Sequence, residues 1–415
     1  MLDKLCEFFR GKKTLILGFG LEGRSTLRLL EELNCAQKIA VADKNAVDAR
    51  YPSFCGEDYL EALNGDFDVI MKTPGIALFD KFDRIGEKIT SQTDLFLRFR
   101  ENVTVGITGT KGKSTTSSLL RHILVNCGKK ARLIGNIGVP PLEICLEETG
   151  GLSGGVIVFE MSCHQLEYVK ASPDVAVLLN VYEEHLDHYA DFGRYRAAKE
   201  NIFKYQKKGD ISIRADEENA EISRVERLLA ANGLKLRGAH NLRNAATAVY
   251  AAELLGCGEK AAVKAAESFG GLPHRLELFA EIGGVKWVDD SISTVPAAAI
   301  AAVKAFPETD TLIVGGMDRG IDYAPLTEFL NNSGAVDNVI ALPDSGHKVA
   351  ESLDAVKIGV YKAKDMTDAV NRAKIITKSC CVLSPAAASY GFYKNFEERG
   401  EVFKNAVLGG SPMKA

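Results

Sequence analysis

The stretch VTVGITGTKGKSTT, residues 103–116, places an apolar run, a glycine-rich turn and the start of a helix in immediate succession. Backbone N–H groups of such a turn cradle phosphate groups, while Lys113 can reach the outer phosphates and Ser114 can bind Mg²⁺. A strict phosphate-binding loop has a glycine at the position of Ile107, whereas this chain has glycines one residue earlier and two residues later. A solvated lysine turn does not explain glycines on both sides, so the stretch predicts a variant P-loop that binds a nucleoside triphosphate.

A second glycine-rich turn, GFGLEG at residues 18–23, follows a strand-like run and opens a helix. Asp43 ends the next strand-like run, at the separation from the turn that a ribose-binding acid has in dinucleotide sites. Glycines at such a turn let the backbone approach a diphosphate closely, and the acid can bind a ribose hydroxyl. The alternative is a turn that only packs a helix against a strand. Two phosphate-type turns predict two phosphorylated ligands, of which one is ATP and the other need not be NAD.

Short apolar runs alternate with amphipathic stretches along the chain, a pattern typical of parallel sheets covered by helices. At ~150 residues per domain, the length of 415 residues suggests about three domains. We therefore predict an α/β protein with a Rossmann-like N-terminal domain at 1–93, a central P-loop ATPase domain at 94–271 and a C-terminal Rossmann-like α/β domain at 272–415. The predicted strands cover 14–17, 39–42, 69–71, 103–108, 156–159, 175–181, 311–314, 339–342 and 381–383, and predicted helices cover 25–33, 115–125 and 244–255.

The charges are nearly balanced, with 51 Lys and Arg residues against 55 Asp and Glu residues. A general nucleic-acid binder would carry a basic excess, so we expect no nucleic-acid partner and local donors for any anionic ligand. The sequence starts without a secretory signal and lacks a run of ~18 apolar residues, so we expect a cytoplasmic protein without a membrane partner. Nine cysteines without a CxxC pair predict free thiols that act as small buried hydrophobic residues.

Residues of the types that bind metal ions follow two predicted strands of the central domain. Glu160 ends one of them, where a carboxylate would face the P-loop, and carboxylate with phosphate oxygens suits Mg²⁺. His185 and His188, three residues apart and without a cysteine partner, argue only weakly for zinc, and we expect His188 on a helix surface. Lys199, taken alone, would be a surface helix lysine paired with Glu200 or with another nearby acid. The group after the second strand consists of Asn180, Glu184, His185, Asp187 and His188.

Further segments stand in a recognisable order across the chain. They are TPGIAL at 73–78, GNIG at 135–138, EMSCHQLE at 160–167, LNVYEEHLDHY at 179–189, RAAKENIF at 196–203, GAHNLRNAATA at 238–248, GLPHRLE at 271–277, DDSISTVP at 289–296, GGMDRG at 315–320 and SPAAASYGFYKNFEERGEVF at 384–403. With the two glycine turns, they make the chain resemble the Mur ligases, the ATP-dependent amide ligases of peptidoglycan synthesis, from about residue 14 onward. The last segment is similar to that of the glutamate-adding members.

The resemblance implies an enzyme that joins D-glutamate to UDP-N-acetylmuramoyl-L-alanine in peptidoglycan synthesis. The substrate carboxylate would attack the γ-phosphorus of ATP, and the glutamate amine would then displace phosphate from the resulting acyl phosphate, leaving ADP. Lys113 and two Mg²⁺ ions would offset the repulsion between the reacting anions. His185 is the implied acceptor of the amine proton. The third domain would close over the second, and the partners would be these small molecules alone, with the protein a monomer.

The resemblance also implies the residues of each site, with Lys113, His185 and Lys199 as the catalytic ones. The implied ATP site comprises Gly109, Thr110, Lys111, Gly112, Lys113, Ser114, Thr115, Asn241, Asn244, Arg275 and Asp290. The implied site for the UDP-bearing substrate comprises Gly18, Gly20, Leu21, Glu22, Gly23, Asp43, Lys44, Thr73, Gly75, Asn136, Ser162 and Gln165. The implied D-glutamate site comprises Glu184, Thr294, Arg319, Ser389 and Phe396. The implied metal ligands are Ser114, Glu160, His185 and Lys199, the last as a carbamate derived from CO₂.

Several positions depart from the family pattern. Glu184 stands where aspartate is frequent, and Ile292 and Arg319 each stand where lysine is frequent. Arginine keeps the charge of lysine but not its shape. The segment SCHQ at 162–165 stands where the family pattern is SSFQ, so that Cys163 and His164 replace a serine and a phenylalanine. These changes affect the expected glutamate pocket more than the expected ligase chemistry.

Three other functions remain open. A sister ligase would add another amino acid, such as L-glutamate, or extend folate with glutamates. A regulatory P-loop ATPase would leave the third-domain segments without a role. A nicotinamide oxidoreductase would use the first glycine turn and Asp43 but would leave the P-loop unexplained. Phosphate release that requires both a UDP-muramoyl peptide and an amino acid distinguishes among all of these.

Overall fold

The computed structural model describes residues 1–47, 50–78, 85–146, 154–184, 186–236 and 238–409, without the side chains of residues 186, 187 and 239. The chain divides into two compact units. The first unit consists of Met1–Leu234 with Ala239–Phe269, and the second consists of Lys235–Gly238 with Gly270–Ala415. The described residues form three sheets, two in the first unit and one in the second. The predicted α/β class is confirmed.

The first sheet has five parallel strands in the order β3-β2-β1-β4-β5. This is the strand order of a Rossmann half-sheet, in which ligands bind where the order reverses, beside β1. Its strands are β1 (Lys13–Leu17), β2 (Lys38–Asp43), β3 (Ser53–Cys55), β4 (Val69–Lys72) and β5 (Ile89–Thr90). Its helices are α1 (Leu2–Phe9), α2 (Leu21–Leu33) and α3 (Gln92–Phe99), with a 3₁₀ turn at Tyr59–Asn64.

The second sheet also has five parallel strands, in the order β10-β9-β6-β8-β7. Its strands are β6 (Val103–Thr108), β7 (Ala131–Gly135), β8 (Val156–Glu160), β9 (Val175–Leu178) and β10 (Ile211–Arg214). Its helices are α4 (Lys113–Asn126), α5 (Cys163–Leu166), α6 (Leu186–Tyr189), α7 (Phe192–Lys204), α8 (Ala220–Asn232), α9 (Ala239–Leu254) and α10 (Glu259–Ser268), with a 3₁₀ turn at Glu143–Cys145.

The third sheet has six strands in the order β11-β12-β16-β13-β14-β15. All neighbours are parallel except β11 and β12, which form an antiparallel hairpin around Gly283 and Gly284. Both glycines have positive φ, the conformation that tight two-residue hairpins require. The strands are β11 (Glu277–Ile282), β12 (Val285–Asp289), β13 (Thr311–Gly316), β14 (Asn338–Asp344), β15 (Gly359–Lys362) and β16 (Cys380–Leu383). The helices are α11 (Pro296–Ala305), α12 (Ala324–Ser333), α13 (Ser345–Glu351), α14 (Met366–Ile376) and α15 (Phe396–Leu408).

The apolar cores follow from these sheets, because parallel strands covered on both faces are built from apolar residues. One cluster of buried side chains runs from the first sheet to the second and includes Phe96 of α3 in edge contact with Phe159 of β8. The predicted boundary at residue 93 therefore falls inside a helix that packs with both sheets. The third sheet has clusters of its own.

Some details differ from the sequence-based expectations. The strand expected to reach Val181 ends at Leu178, because the chain then turns toward the P-loop, and the helix expected from Asn244 already begins at Ala239. All nine cysteines are free thiols; five are buried, but Cys55 is exposed. Among the helices that the structure describes, we find none long and apolar enough to cross a membrane.

Candidate active site

The P-loop follows β6, the middle strand of the second sheet. Ile107 is paired in register with Glu160 of β8, and Thr108 is paired with Leu178 of β9. The carboxyl ends of three parallel strands therefore meet at one edge, which is where ligands bind in sheets of this kind. The residues that follow β8 and β9 flank the P-loop on its two sides.

Two glycines allow other segments to pack directly against the P-loop. Gly112 caps α4 with φ +88°, and a Cβ there would lie 2.5 Å from Oδ1 of Asn244 on α9. Gly109 has φ +158°, and its Cβ would lie 2.9 Å from Cβ of Leu179. Asn244 donates to Asn241 Oδ1 at 3.4 Å. The structure thus brings the two asparagines predicted for ATP binding to the P-loop, although they stand on a helix far along the chain from it.

Lys113, the predicted phosphate-binding lysine, folds back over its own loop. Its Nζ donates to the carbonyl oxygens of Gly109 at 2.9 Å and Thr110 at 3.0 Å. Burial lowers the pKa of Lys113, while the negative charge of Glu160 opposes that change. The ammonium group is therefore held among neutral acceptors, which an anionic ligand can replace.

The segment after β9 is bonded to the P-loop by backbone and side chain. Asn180 accepts from Thr110 N with its carbonyl oxygen and exchanges two hydrogen bonds with the backbone of Lys111 through its amide side chain. Lys111 also forms an ion pair of 2.6 Å with Glu184. Thr110 Oγ1 lies 2.8 Å from the Tyr195 hydroxyl of α7. Glu184, which we predicted for glutamate binding, is therefore located at the P-loop.

Glu160 is the buried carboxylate at this edge of the sheet. Its Oε1 accepts from Asn136 Nδ2 at 2.8 Å. Its Oε2 is buried and has no hydrogen-bond partner among the described residues. A buried carboxylate oxygen without a partner is costly unless a donor or a cation reaches it. With the Ser114 hydroxyl at the start of α4, this donor set is of the oxygen type that Mg²⁺ prefers, whereas the predicted ligand His185 lies outside the described residues.

Lys199 is buried, contrary to the expectation of a surface helix lysine paired with Glu200. Its side chain is 1% exposed, its Nζ donates to the Gly109 carbonyl at 2.8 Å, and Glu200 instead pairs with Arg214. Burial lowers the pKa of Lys199 to about 8, and the nearby charge of Lys113 also lowers it. The two lysines share one carbonyl oxygen, so their charges repel each other at the centre of the site.

The first glycine turn is closed by Asp43. The Asp43 carboxylate accepts from Phe19 N at 2.6 Å and from the backbone and side chain of Asn45. Gly18 has φ +92°, and a Cβ there would lie 2.0 Å from Thr73 Oγ1. The turn is thus tightly packed between β1, α2 and the segment that begins with Thr73. Of the other predicted residues, Leu21 is 71% exposed.

Three residues predicted for the UDP-bearing substrate meet where α2 contacts α5. Glu22 Oε1 accepts from Gln165 Nε2 at 3.0 Å. Gln165 Oε1 accepts from the backbone N–H of Ser162 at 3.0 Å, and the Ser162 hydroxyl accepts from Gln165 N. We call this contact of Glu22, Gln165 and Ser162 the joint. Because Ser162 follows Glu160 by two residues, the joint connects the first glycine turn with the end of β8.

A second polar link between the first sheet and the second was not predicted. Lys72, at the end of β4, forms a buried ion pair of 3.2 Å with Glu167, and Glu167 lies 2.6 Å from His188 Nε2. Burial lowers the pKa of Lys72, and Glu167 opposes that change. His188 is therefore not a helix-surface residue: its side chain is only 12% exposed and packs against His164 with ring centres 4.2 Å apart. In the sequence, the only indication of this link was that Glu167 is the last residue of the EMSCHQLE segment.

In the second unit, Asp290 has its carboxylate already occupied. It accepts from Leu276 N and from the hydroxyls of Ser293 and Ser384, and burial raises its pKa to about 6. Arg275, the other ATP residue predicted here, is exposed. The hydrogen bonds of Asp290 fix the turn that carries Arg275. The side chain of Arg275 is exposed to a ligand, whereas the carboxylate of Asp290 is buried and already hydrogen-bonded.

A cluster beside this turn has the residue types of a metal site. His274, Glu277 and Asp289 place one ligand atom each within 4.8 Å of the others. His274 Nδ1 lies 2.7 Å from Asp289 Oδ2. The Lys404 ammonium, however, lies 2.7 Å from Glu277 and 3.7 Å from Asp289. Lysine supplies the positive charge of this cluster, which therefore holds the turn 272–276 rather than offering an open cation site.

Four of the five residues predicted to bind glutamate follow the carboxyl ends of strands in the third sheet, whereas Glu184 lies at the P-loop. Thr294 and Arg319 are exposed, Ser389 is buried, and Phe396 begins α15. The segment around them is held by Arg399, which the sequence analysis missed. Its buried guanidinium donates to the carbonyls of residues 291 and 387 and to a serine hydroxyl, and burial lowers its pKa to about 10. In the sequence, the only indication of Arg399 was its position in FEERGEVF (396–403), the end of the segment that is similar to that of the glutamate-adding members.

Known proteins resemble this chain in sequence and in fold. A family model described as the Mur ligase middle domain matches residues 107–231. The UDP-N-acetylmuramoylalanine–D-glutamate ligase of Clostridium kluyveri is 31% identical over 461 residues, with 98% of each chain covered. The enzyme of the same name from Geobacillus kaustophilus is 31% identical, covering 97% of this chain and 99% of its own.

Solved structures show the same fold at lower identity. The UDP-N-acetylmuramate–alanine ligase MurC from Thermotoga maritima has a TM-score of 0.56 at 18% identity, covering 96% of this chain and 99% of its own. The MurF ligase from Thermotoga maritima, solved in complex with ADP, has a TM-score of 0.56 at 20% identity and covers 97% of each chain. Because the relatives from Clostridium kluyveri and Geobacillus kaustophilus match it at 31% identity over nearly its whole length, the chain belongs to the Mur ligase family.

Proposed function

We propose that this protein joins D-glutamate to UDP-N-acetylmuramoyl-L-alanine, with cleavage of ATP to ADP and phosphate. The observation that carries the proposal is the convergence at the Gly109 carbonyl, which accepts hydrogen bonds from the ammonium groups of both Lys113 and Lys199. The carboxylate of Glu160 is close enough to Lys113 for its charge to oppose the effect of burial on the pKa of that lysine. Full-length similarity to ligases of this name supports the choice of substrates.

The reaction must make a carboxylate reactive toward an amine. The carboxylate of the UDP-bearing substrate attacks the γ-phosphorus of ATP, forming an acyl phosphate and releasing ADP. The amine of glutamate then attacks the acyl carbon, phosphate leaves, and the amine loses a proton, with His185 as the proposed acceptor. Lys113 would turn from its own loop carbonyls to the phosphate oxygens, where its charge stabilises the transferring group.

The proposed Mg²⁺ ligands are Ser114, Glu160, His185 and carbamylated Lys199. Bound Mg²⁺ would supply positive charge to the phosphate oxygens. The support from this chain is the buried oxygen of Glu160 that lacks a partner among described residues. The remaining oxygen ligands would come from Ser114 and the carbamate, consistent with the ligand preference of this ion.

The carbamate of Lys199 is supported by burial and charge. A neutral amine attacks CO₂ and loses a proton, giving a carbamate with one negative charge in place of the ammonium. The pKa of about 8 makes the neutral amine of Lys199 accessible near neutral pH. The exchange would also remove the repulsion between Lys199 and Lys113, which share the Gly109 carbonyl.

The two remaining substrates are assigned to the outer sheets. The UDP moiety is proposed to bind at the turn 18–23, with Thr73 and Gly75 beside it. The exposed guanidinium of Arg319 is proposed to grip a carboxylate of D-glutamate with two parallel hydrogen bonds, near Ser389. We further propose that the domains are residues 1–93, 94–271 and 272–415. The protein is proposed to be a cytoplasmic monomer whose partners are these small molecules.

The test is release of phosphate by the purified chain in the presence of ATP and Mg²⁺. We expect release only when UDP-N-acetylmuramoyl-L-alanine and D-glutamate are both present. A panel of L-glutamate, L-alanine, L-lysine and diaminopimelate tests the sister-ligase alternative, since activity with one of these instead would reassign the amino acid. Phosphate release without any acceptor would favour a plain ATPase, and NADH binding without UDP-sugar binding would favour an oxidoreductase.

A further inference from the structure

Glu22 lies inside the first glycine turn, as the second residue of the 13-residue helix α2. Its Oε1 is bonded to Gln165, but its Oε2 is buried and has no hydrogen-bond partner within the part of the chain that the structure describes. An ionised carboxylate with one oxygen buried and unpaired is unfavourable, whereas a protonated one removes the charge. The position of Glu22 thus couples a carboxyl group to the turn proposed to hold a diphosphate.

The hydrogen bonds determine where a proton on Glu22 would reside. The amide oxygen of Gln165 faces the backbone N–H of Ser162, which can only donate. The amide nitrogen of Gln165 must therefore face Glu22, so Oε1 of Glu22 is the acceptor of that bond. The proton belongs on Oε2, the oxygen without a partner. The Gln165–Ser162 arrangement holds this orientation in place.

The surrounding charges do not neutralise an ionised Glu22. Lys72, whose positive charge acts on Glu22, forms its ion pair with Glu167, and Glu167 also lies against His188. On the other side of the turn, the carboxylate of Asp43 faces backbone donors. Accordingly, burial raises the pKa of Glu22 to about 7, against the smaller opposing effects of Gln165 and Lys72.

We propose that Glu22 is a proton-linked positioning residue, which carries a proton when the UDP-bearing substrate is bound at the adjoining turn. The proposal rests on the function proposed above. An anionic diphosphate at the turn opposes ionisation of Glu22, so binding takes up a proton wherever the free protein has lost it. The neutral acid keeps α5 attached to α2 through Gln165 without an unpaired charge in the joint. Binding of this substrate therefore weakens as the pH rises, although its diphosphate diester does not titrate near neutrality.

The experiment is calorimetric titration of the full chain with UDP-N-acetylmuramoyl-L-alanine between pH 6 and 8.5, in buffers of different ionisation enthalpy. For the wild type we expect uptake of more than half a proton at pH 8 and a Kd that rises up to about tenfold per pH unit above neutrality. The Glu22→Gln variant, which mimics the neutral acid, should take up no proton and bind more tightly than the wild type at pH 8.5. Glu32→Gln, an exposed change on the same helix, should behave as the wild type.

Two results would overturn the inference while leaving the proposed function intact. One is binding by the wild type without proton uptake, a measurement that does not depend on how the variant folds. The other is uptake that persists in Glu22→Gln, which would assign the proton to another group. If the wild type fails to bind the substrate at every pH, the proposed function fails and the inference fails with it.

Discussion

Replacing Lys199 by alanine should remove most of the ligase activity, because the proposed carbamate supplies metal-binding oxygens. The lowered pKa of Lys199 sets the fraction of its amine that is neutral. At pH 7.5, about a quarter of amines with a pKa of about 8 are neutral, against about 0.1% of lysines with an ordinary pKa of 10.5, a difference of more than 200-fold. Only the neutral amine reacts with CO₂, so burial beside Lys113 favours carbamylation at this lysine over exposed ones.

The assay combines turnover with direct detection of the carbamate. Phosphate release by Lys199→Ala should fall by at least about 100-fold, because loss of a proposed ligand should cost no less than loss of a group that only orients one, about 10–100-fold. Acetate should restore part of the activity by occupying the vacated oxygen positions. In ¹³C-labelled bicarbonate, the wild type should show a carbamate resonance that the variant lacks, and depletion of CO₂ should lower wild-type activity if the carbamate exchanges during the assay.

The matched control is Lys204→Ala, an exposed lysine five residues later on the same helix. It should retain wild-type turnover and the carbamate resonance. Near-normal turnover of Lys199→Ala, or a bare amine at Lys199 in a complex with ATP and Mg²⁺, would refute the reasoning.

Further variants test the other assignments. Lys113→Ala should abolish phosphate release while calorimetry still detects the UDP-bearing substrate. Arg121→Ala, an exposed change on the same helix, serves as its control. Loss of UDP-substrate binding in Lys113→Ala would contradict the separation of the two turns. Asp43→Ala removes the acceptor that closes the first turn, which should weaken UDP-substrate binding by about 1–3 kcal/mol and raise that KM more than the KM for ATP. Arg319→Ala should raise the KM for D-glutamate with little change in ATP affinity, and an unchanged KM would make Arg319 a solvated turn residue. The pKa of Glu22 is higher in the folded chain (about 7) than in the unfolded chain (4.5), so its contribution to stability declines as the pH rises between these values. Between pH 5 and pH 8, the melting temperature of Glu22→Gln should therefore fall less than that of the wild type. An equal fall would show that Glu22 is not neutral in the fold.

The parts of this protein that its sequence determined are those with local causes. A strand, a glycine-rich turn and a helix that follow one another directly along the chain need no distant contact to be recognised. The P-loop at 103–116, the first turn at 18–23 and the acid Asp43 were therefore predictable, as were Glu160 at a strand end and the alternation that implies parallel sheets. The ordered segments of the chain also indicated the family.

Tertiary structure alone decided the environment of each group. Lys199 is indistinguishable from a surface lysine in sequence, and it is buried because α7 packs against the P-loop 90 residues earlier. His188 is paired with Glu167 for the same kind of reason. The joint between Glu22 and Gln165 spans 143 residues, and the pair of Lys72 with Glu167 spans 95. Burial and charge pairing depend on which distant side chains the fold brings together, and these set the pKa values, so no local pattern can predict which lysine becomes reactive or which carboxyl group keeps its proton.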